Sequence, residues 1–205
     1  MAGHPVTVDD VARAARVIEG RLHRTPVLTA RSVREGLFLK AELLQRTGSF
    51  KVRGVLTNLA ALGDDERRRG VISVSAGNHA QALAWGAAQE GIDALLVMWR
   101  GASEAKIEAT RAYGASVDLE ADGPGAAFAR LEELVEETGR HFVHPFDAPG
   151  TVAGQGTVGR EILEDVDGLD AVVVPCGGGG LVTGIAVACS AAGVPVVAVE
   201  PEGAE

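Results

Sequence analysis

The 205-residue chain is poor in basic residues, aromatics and cysteine, and each shortage closes off a class of function. Its 19 Lys and Arg stand against 28 Asp and Glu, a net charge of −9, with 4% aromatic residues and no basic tract. A surface of that sign repels nucleic acid and anionic membranes, so neither is an expected partner. The two cysteines, Cys176 and Cys189, make no disulfide framework or zinc-ligand spacing, and His4, His23, His141 and His144 do not supply one. The expected compartment is therefore a reducing cytoplasm. The opening Met-Ala-Gly-His-Pro has no apolar core of the kind a signal peptide needs.

Charge is missing altogether between Ala171 and Val199, a length that could cross a bilayer. Pro175, four consecutive glycines and Pro195 cut that stretch into short pieces, however. It reads instead as a strand, a glycine loop, an alanine-rich helix and a second strand, all buried in a parallel sheet.

What the chain does have is a globular balance of 46% hydrophobic and 23% charged residues. That suffices for one large domain or two small interleaved ones. Thr7 precedes two acids and an apolar helical spacing that ends at Gly20. Short strands are expected around Val27–Leu28 and Leu37–Leu39. From Lys51 onward, helices at 53–62, 78–90, 103–113 and 124–138 alternate with strands at 71–74, 94–98, 115–119 and 141–143. After the His144–Gly150 break come helix 151–166, strand 171–174, helix 180–192 and strand 195–199. Strands joined by helices of this length imply α/β architecture with parallel sheets. The breaks at Gly48 and Pro145–Gly150 suggest two interleaved domains, one from 1–47 and 144–205, the other from 48–143. The chain stops at Glu205 just after a strand that would want a covering helix, so a C-terminal part is expected to be missing.

Three segments carry chemistry. Gly177, Gly178, Gly179 and Gly180 lie between a strand and a helix, where bare backbone N–H groups meet a positive helix end and suit a phosphate. A tight strand-to-helix turn is the plainer alternative, although it needs fewer glycines. A dinucleotide loop is another, with Glu200 about 20 residues on as its acid. Lys51 lies in Gly-Ser-Phe-Lys-Val-Arg-Gly, a constrained turn at a helix start. It is either a solvated surface charge or a buried amine whose lowered pKa frees it for imine chemistry. The third segment, Ser75-Ala76-Gly77-Asn78-His79, opens a helix and offers either simple capping or a carboxylate site. Asn78 can hydrogen-bond a ligand through its amide, His79 reads as structural, and Cys176 reads as a small filler beside the glycines.

Taken together, these segments resemble the fold-type II pyridoxal-phosphate enzymes, nearest the threonine (serine) dehydratase and serine racemase branch. Ala109–Ala115, His144–Asp147 and Ala153–Thr157 leading into Glu161 support the likeness, which runs from about residue 7 to 205. The fold it implies resembles tryptophan synthase β, with two interleaved domains, a small mobile one and a larger cofactor-binding one. The cofactor would be pyridoxal 5′-phosphate, joined to Lys51. The resemblance puts Phe50 against its ring, Asn78 on its 3-hydroxyl oxygen, Gly177–Gly180 around its phosphate, and the Ser75–His79 loop on the substrate carboxylate.

The implied reaction is dehydration and deamination of L-threonine or L-serine, small amino-acid substrates, to a 2-oxo acid and ammonia, by a homo-oligomer at full length. Racemases of this kind place a serine where Ala76 stands, and Phe146 replaces a polar residue of the eukaryotic type, so elimination is favoured. A racemase, a 3-hydroxyaspartate ammonia-lyase and a threonine-synthase-like enzyme are rivals within the fold. A truncated, non-catalytic cofactor-binding remnant is the rival outside it. Met98-Trp99-Arg100-Gly101 departs from the family, which usually has a proline after the methionine. Family members run on for roughly another hundred residues. Glu200 matches a carboxylate that serves a divalent cation in some relatives, although a lone Glu after a strand is usually solvated.

Overall fold

The computed structural model describes residues 6–203, and the expectations placed on Met1–Pro5, including His4, and on Ala204 and Glu205 lie outside them. The chain divides into two compact units. One holds the residues up to Thr57 and again from Phe146 onward, and the other is Asn58–Pro145.

The first unit begins with α1 (Val8–Ile18), started by the Thr7 cap that the sequence implies. Thr7 N–H donates to Asp10 at 2.8 Å while Asp10 N–H donates back to the Thr7 hydroxyl at 3.3 Å. This reciprocal box satisfies two N–H groups that a helix start leaves without partners. Val11, Ala14 and Ile18, one helical stripe, are buried. Next, β1 (Val27–Thr29) and β2 (Phe38–Lys40) pair antiparallel. Two short 3₁₀ turns over Glu42–Gly48 lead to α2 (Lys51–Ala60), which starts and ends two residues before the expected 53–62 and runs through the boundary between the units.

The second unit opens with α3 (Asp64–Arg69), a helix absent from the sequence reading. It buries nothing, so no apolar period marks it. Three acids in its first turn, three arginines in its last and a Gly63 N–H bond to Glu66 of 2.9 Å complement the helix dipole instead. Then come β3 (Val71–Val74), α4 (Asn78–Glu90), β4 (Ala94–Trp99), α5 (Glu104–Ala112), β5 (Ser116–Ala121), α6 (Pro124–Thr138) and β6 (His141–Phe142). The strands form one parallel sheet in the order β5-β4-β3-β6. Ile72, Val74 and Val97 pack with Ala127, Leu131 and Leu134 of α6 in its core.

The chain returns to the first unit with α7 (Pro149–Asp165), β7 (Val172–Pro175), α8 (Gly180–Ser190) and β8 (Val196–Val199). α7 starts two residues earlier than expected, because Pro149 has a pre-set φ and loses no bond in a first turn. β7 and β8 pair parallel in register. α7 and α8 touch backbone to backbone, since a Cβ on Gly156 would lie 2.8 Å from the Gly184 carbonyl oxygen. The architecture is therefore α/β with parallel-rich sheets, and the antiparallel β1–β2 pair stands apart from them. Among the described residues no helix is long and apolar enough to cross a membrane, so the uncharged 171–199 stretch is the strand–helix–strand run the sequence implies. It is not all buried, however: β7 and β8 pair as a two-stranded sheet that leaves Val173, Val197 and Val199 exposed.

Candidate active site

Lys51 is the first residue of α2, where the helix end carries partial positive charge. Its side chain is half-buried, and that burial lowers its pKa. A cation is disfavoured there twice over, so the amine gains the neutral, nucleophilic form. The turn before it is strained: Thr47, β-branched, has φ 61°, and Gly48 follows at φ 71°. The hydroxyls of Thr47 and Ser49 are buried without a hydrogen-bond partner. Orphaned donors of this kind are costly, and they sit in the loop that delivers Lys51.

Phe50 lies under its neighbour, with the Lys51 Nζ 5.4 Å from the ring centroid. Phe50 also packs against the cluster of Val158, Val172, Val174, Ile185 and Cys189. Two of these residues belong to β7, the strand that feeds the glycine loop, and two to α8, the helix that leaves it. Lys51 and the loop are thus built on one core.

β7 delivers the chain to Cys176, and α8 starts at Gly180. A Cβ on Gly177 would meet nothing within 4 Å, and Gly179 has φ +82°, where only glycine is unstrained. Gly178 and Gly180 are bare for a different reason. A Cβ at Gly178 would run into the Phe146 ring, and one at Gly180 would lie 2.6 Å from the Phe146 carbonyl oxygen. Phe146 therefore backs the loop on one side while the other stays open. Its position shows only in three dimensions, because it stands 32 residues from Gly178 in the chain.

The loop after β3 belongs to the second unit. Ser75 does not cap α4. Its hydroxyl accepts from the Gly77 N–H at 3.2 Å, and Gly77 occupies the cap position with no side-chain bond to the helix. Asn78 is exposed. His79, 3% exposed, turns inward, its Nε2 lying 3.0 Å from the Ser73 hydroxyl and 3.3 Å from the Val143 carbonyl. The structural role expected of that side chain is the one it has, which leaves only its backbone for a ligand. Sequence reasoning passed over Lys106 of α5, whose Nζ lies 4.0 Å from where a Gly77 side chain would begin.

Glu200 is exposed and lies beside the Cys176 thiol, whose pKa is raised by the hydrogen bond to that carboxylate and by burial. Among the described residues no group of three or more His, Cys, Asp or Glu side chains stands together to hold a metal ion, so Glu200 gains no set of further ligands there.

Pyridoxal phosphate needs an amine that is neutral part of the time and a main-chain cradle for its phosphate. The half-buried amine at a helix start and the open space over Gly177 fit those needs.

A family model described as "Pyridoxal-phosphate dependent enzyme" matches residues 18–205. L-threonine dehydratase catabolic TdcB of Escherichia coli (strain K12) is 46% identical over 188 residues, covering 90% of this chain and 57% of that protein. The structure of maize serine racemase superposes with a TM-score of 0.93 at 36% identity, over 98% of this chain and 63% of that one. A serine racemase from Dictyostelium discoideum does so with a TM-score of 0.91 at 37% identity, over 97% and 66%, and a threonine deaminase from Solanum lycopersicum with 0.87 at 34%, over 98% and 59%. The chain thus spans less than two thirds of the length of each of these relatives.

Proposed function

The chain belongs to the pyridoxal-phosphate-dependent enzyme family, and from that premise we propose that it serves the dehydration and deamination of L-threonine or L-serine to a 2-oxo acid and ammonia. The observation that carries the proposal is the shared core under Phe50, β7 and α8, which joins a pKa-lowered lysine to a glycine loop at a helix start. The 46% identity to an L-threonine dehydratase supports the choice of reaction.

When bound, pyridoxal phosphate supplies an aldehyde for amines and a ring that withdraws electrons from the substrate's Cα. The chain's own residues do the rest. The N–H groups of Gly177–Gly180 would hold the phosphate at the positive end of α8. Phe50 would lie against the ring, and Asn78 would donate its amide to the 3-hydroxyl oxygen. The Ser75–His79 loop takes the substrate carboxylate, through backbone N–H groups in the case of His79. Lys51 Nζ, kept partly neutral by burial, accepts the α-proton as general base. The β C–O bond then breaks with loss of water, and the released enamine hydrolyses to the 2-oxo acid and ammonia. The Asn58–Pro145 unit acts as the small mobile domain and the rest as the cofactor-binding domain, so the boundary expected at Gly48 moves to Thr57 and leaves Lys51 with the glycine loop.

A racemase is the second reading, favoured by the TM-score of 0.93 to a serine racemase. Racemisation needs a proton donor on the face opposite Lys51, and the methyl of Ala76 has none. A cytoplasmic homo-oligomer completes the proposal. A divalent cation at Glu200 lacks further ligands among the described residues and is left out of it.

The test is borohydride reduction of the protein loaded with pyridoxal 5′-phosphate, followed by peptide mass analysis and product assays on L-threonine and L-serine. We expect a pyridoxyl group on Lys51, formation of 2-oxobutanoate and pyruvate, and loss of both signals in Lys51→Ala. D-serine without pyruvate would establish the racemase instead. Adduct without product would mean a cofactor-binding protein that does not turn over.

A further inference from the structure

Arg53 stands two residues after Lys51 in the same first turn of α2, and its side chain is wholly buried at 0% exposure. Its guanidinium makes five hydrogen bonds. Nε and Nη2 donate to the two oxygens of Glu42 at 2.9 and 2.7 Å. Nη1 and Nη2 donate to the two oxygens of Glu161 at 2.6 and 2.9 Å, and Nη1 also reaches the Thr157 hydroxyl at 3.1 Å. Five donors is the full capacity of the group, and two of its partners are bidentate carboxylates. Glu161 is itself held by Lys40 at 2.7 Å.

A fork gripped on both sides resists rotation as well as translation. The turn is held at a fixed distance as well, because a Cβ on Gly154 of α7 would fall 2.7 Å from the Arg53 carbonyl oxygen and from the Gly54 nitrogen. Residues two apart on a helix point to nearly opposite sides, so Arg53 grips the buried back of the turn while Lys51 leaves from its front. Turning the helix by about 10° would carry the Lys51 Cα by about 0.4 Å, on a cylinder of about 2.3 Å radius. Shifts on the order of 1 Å at a reacting group cost about a hundredfold in rate.

We propose that Arg53, clamped between Glu42 and Glu161, is a positioning residue that sets the direction and burial of the Lys51 amine. This rests on the reading of Lys51 as the cofactor lysine. Loss of the clamp lets α2 turn, exposes the amine and moves it off its aim.

The test uses the full chain as wild type, Arg53→Lys, Glu161→Gln and Thr157→Val. Three quantities are read: the pH midpoint of Lys51 acylation by peptide mass spectrometry, the rate of pyridoxal 5′-phosphate trapping on Lys51, and the thermal midpoint. In Arg53→Lys and Glu161→Gln the acylation midpoint is expected to rise toward the ordinary lysine range. Trapping is expected to slow by about tenfold to a hundredfold. Thr157→Val, which removes one bond of the five, should move both least.

A purely structural arginine would lower the thermal midpoint and leave Lys51 acylation and trapping as in wild type, and that result overturns the proposal. If Arg53→Lys does not fold, Glu161→Gln decides by the same readings. Should wild type give no adduct on Lys51, the cofactor reading fails, and the acylation midpoints alone judge the clamp.

Discussion

The unit that carries Lys51 and the glycine loop is organised around charge, and the Asn58–Pro145 unit around apolar volume. In the first, a fully buried guanidinium bridges two carboxylates, and a neighbouring lysine adds a third ion pair. In the second, the buried polar side chains among the described residues are Ser73, His79 and Thr110, and β3 is buried along its whole length. The two sheets differ in the same direction. β7 and β8 leave Val173 67% exposed, and a cavity of about 600 Å³ lies against β7, lined also by Leu37–Leu39 and Phe50. The lesson concerns control: one altered charge can re-aim a charge-built unit, whereas a volume-built one responds only to lost contacts.

Three substitutions or conditions sharpen or break that contrast. The largest effect is expected from Arg53→Met, which leaves Glu42 largely buried without its cation and Glu161 with Lys40 alone. Removing one partner of a buried ion pair costs about 3–5 kcal/mol, measurable by urea unfolding with hydrogen exchange resolved to each unit. Protection should fall in the first unit; equal loss in both would erase the distinction.

Ile72→Ala in β3 should cost about 2–4 kcal/mol through the cavity it opens, with protection lost in the second unit. A cost below about 1 kcal/mol would mean that the sheet core relaxes around the gap and is not volume-built.

The smallest effect is acid. Arg160 and Arg24 lower the pKa of Glu164 by hydrogen bonds, while burial of Asp165 raises its pKa but is outweighed by Arg24 and Lys40. Carboxylates lowered in the folded state contribute stability above their unfolded pKa and lose it as pH falls through the folded value. Acid titration below the ordinary carboxylate range should therefore loosen the α7 end of the first unit. Glu164→Gln together with Asp165→Asn should flatten that part of the profile, and an unchanged profile would remove these groups from the account.

Much of this was legible in the residues. The alternation from β3 to α6 rests on local period and on Gly and Pro punctuation, and its boundaries came within two residues. Lys51 and the four glycines stood out because each breaks a local habit: a cation at a helix start, and more bare backbone than a turn needs. α3 escaped because it has no buried face to impose a period. Phe146 behind the glycines escaped as well, and so did the grip on Arg53, whose partners lie 11 and 108 positions away. No window along the chain contains both ends of such contacts.

The sequence by itself determined the parallel α/β elements, the lysine and the glycine loop, because backbone conformation, capping and periodicity act over a few neighbouring residues. Tertiary structure alone decided which glycines face open space, which way His79 turns, and how α2 is clamped. Those outcomes depend on burial and on ion pairs between distant segments, whose strength exists only once water has been excluded from between them.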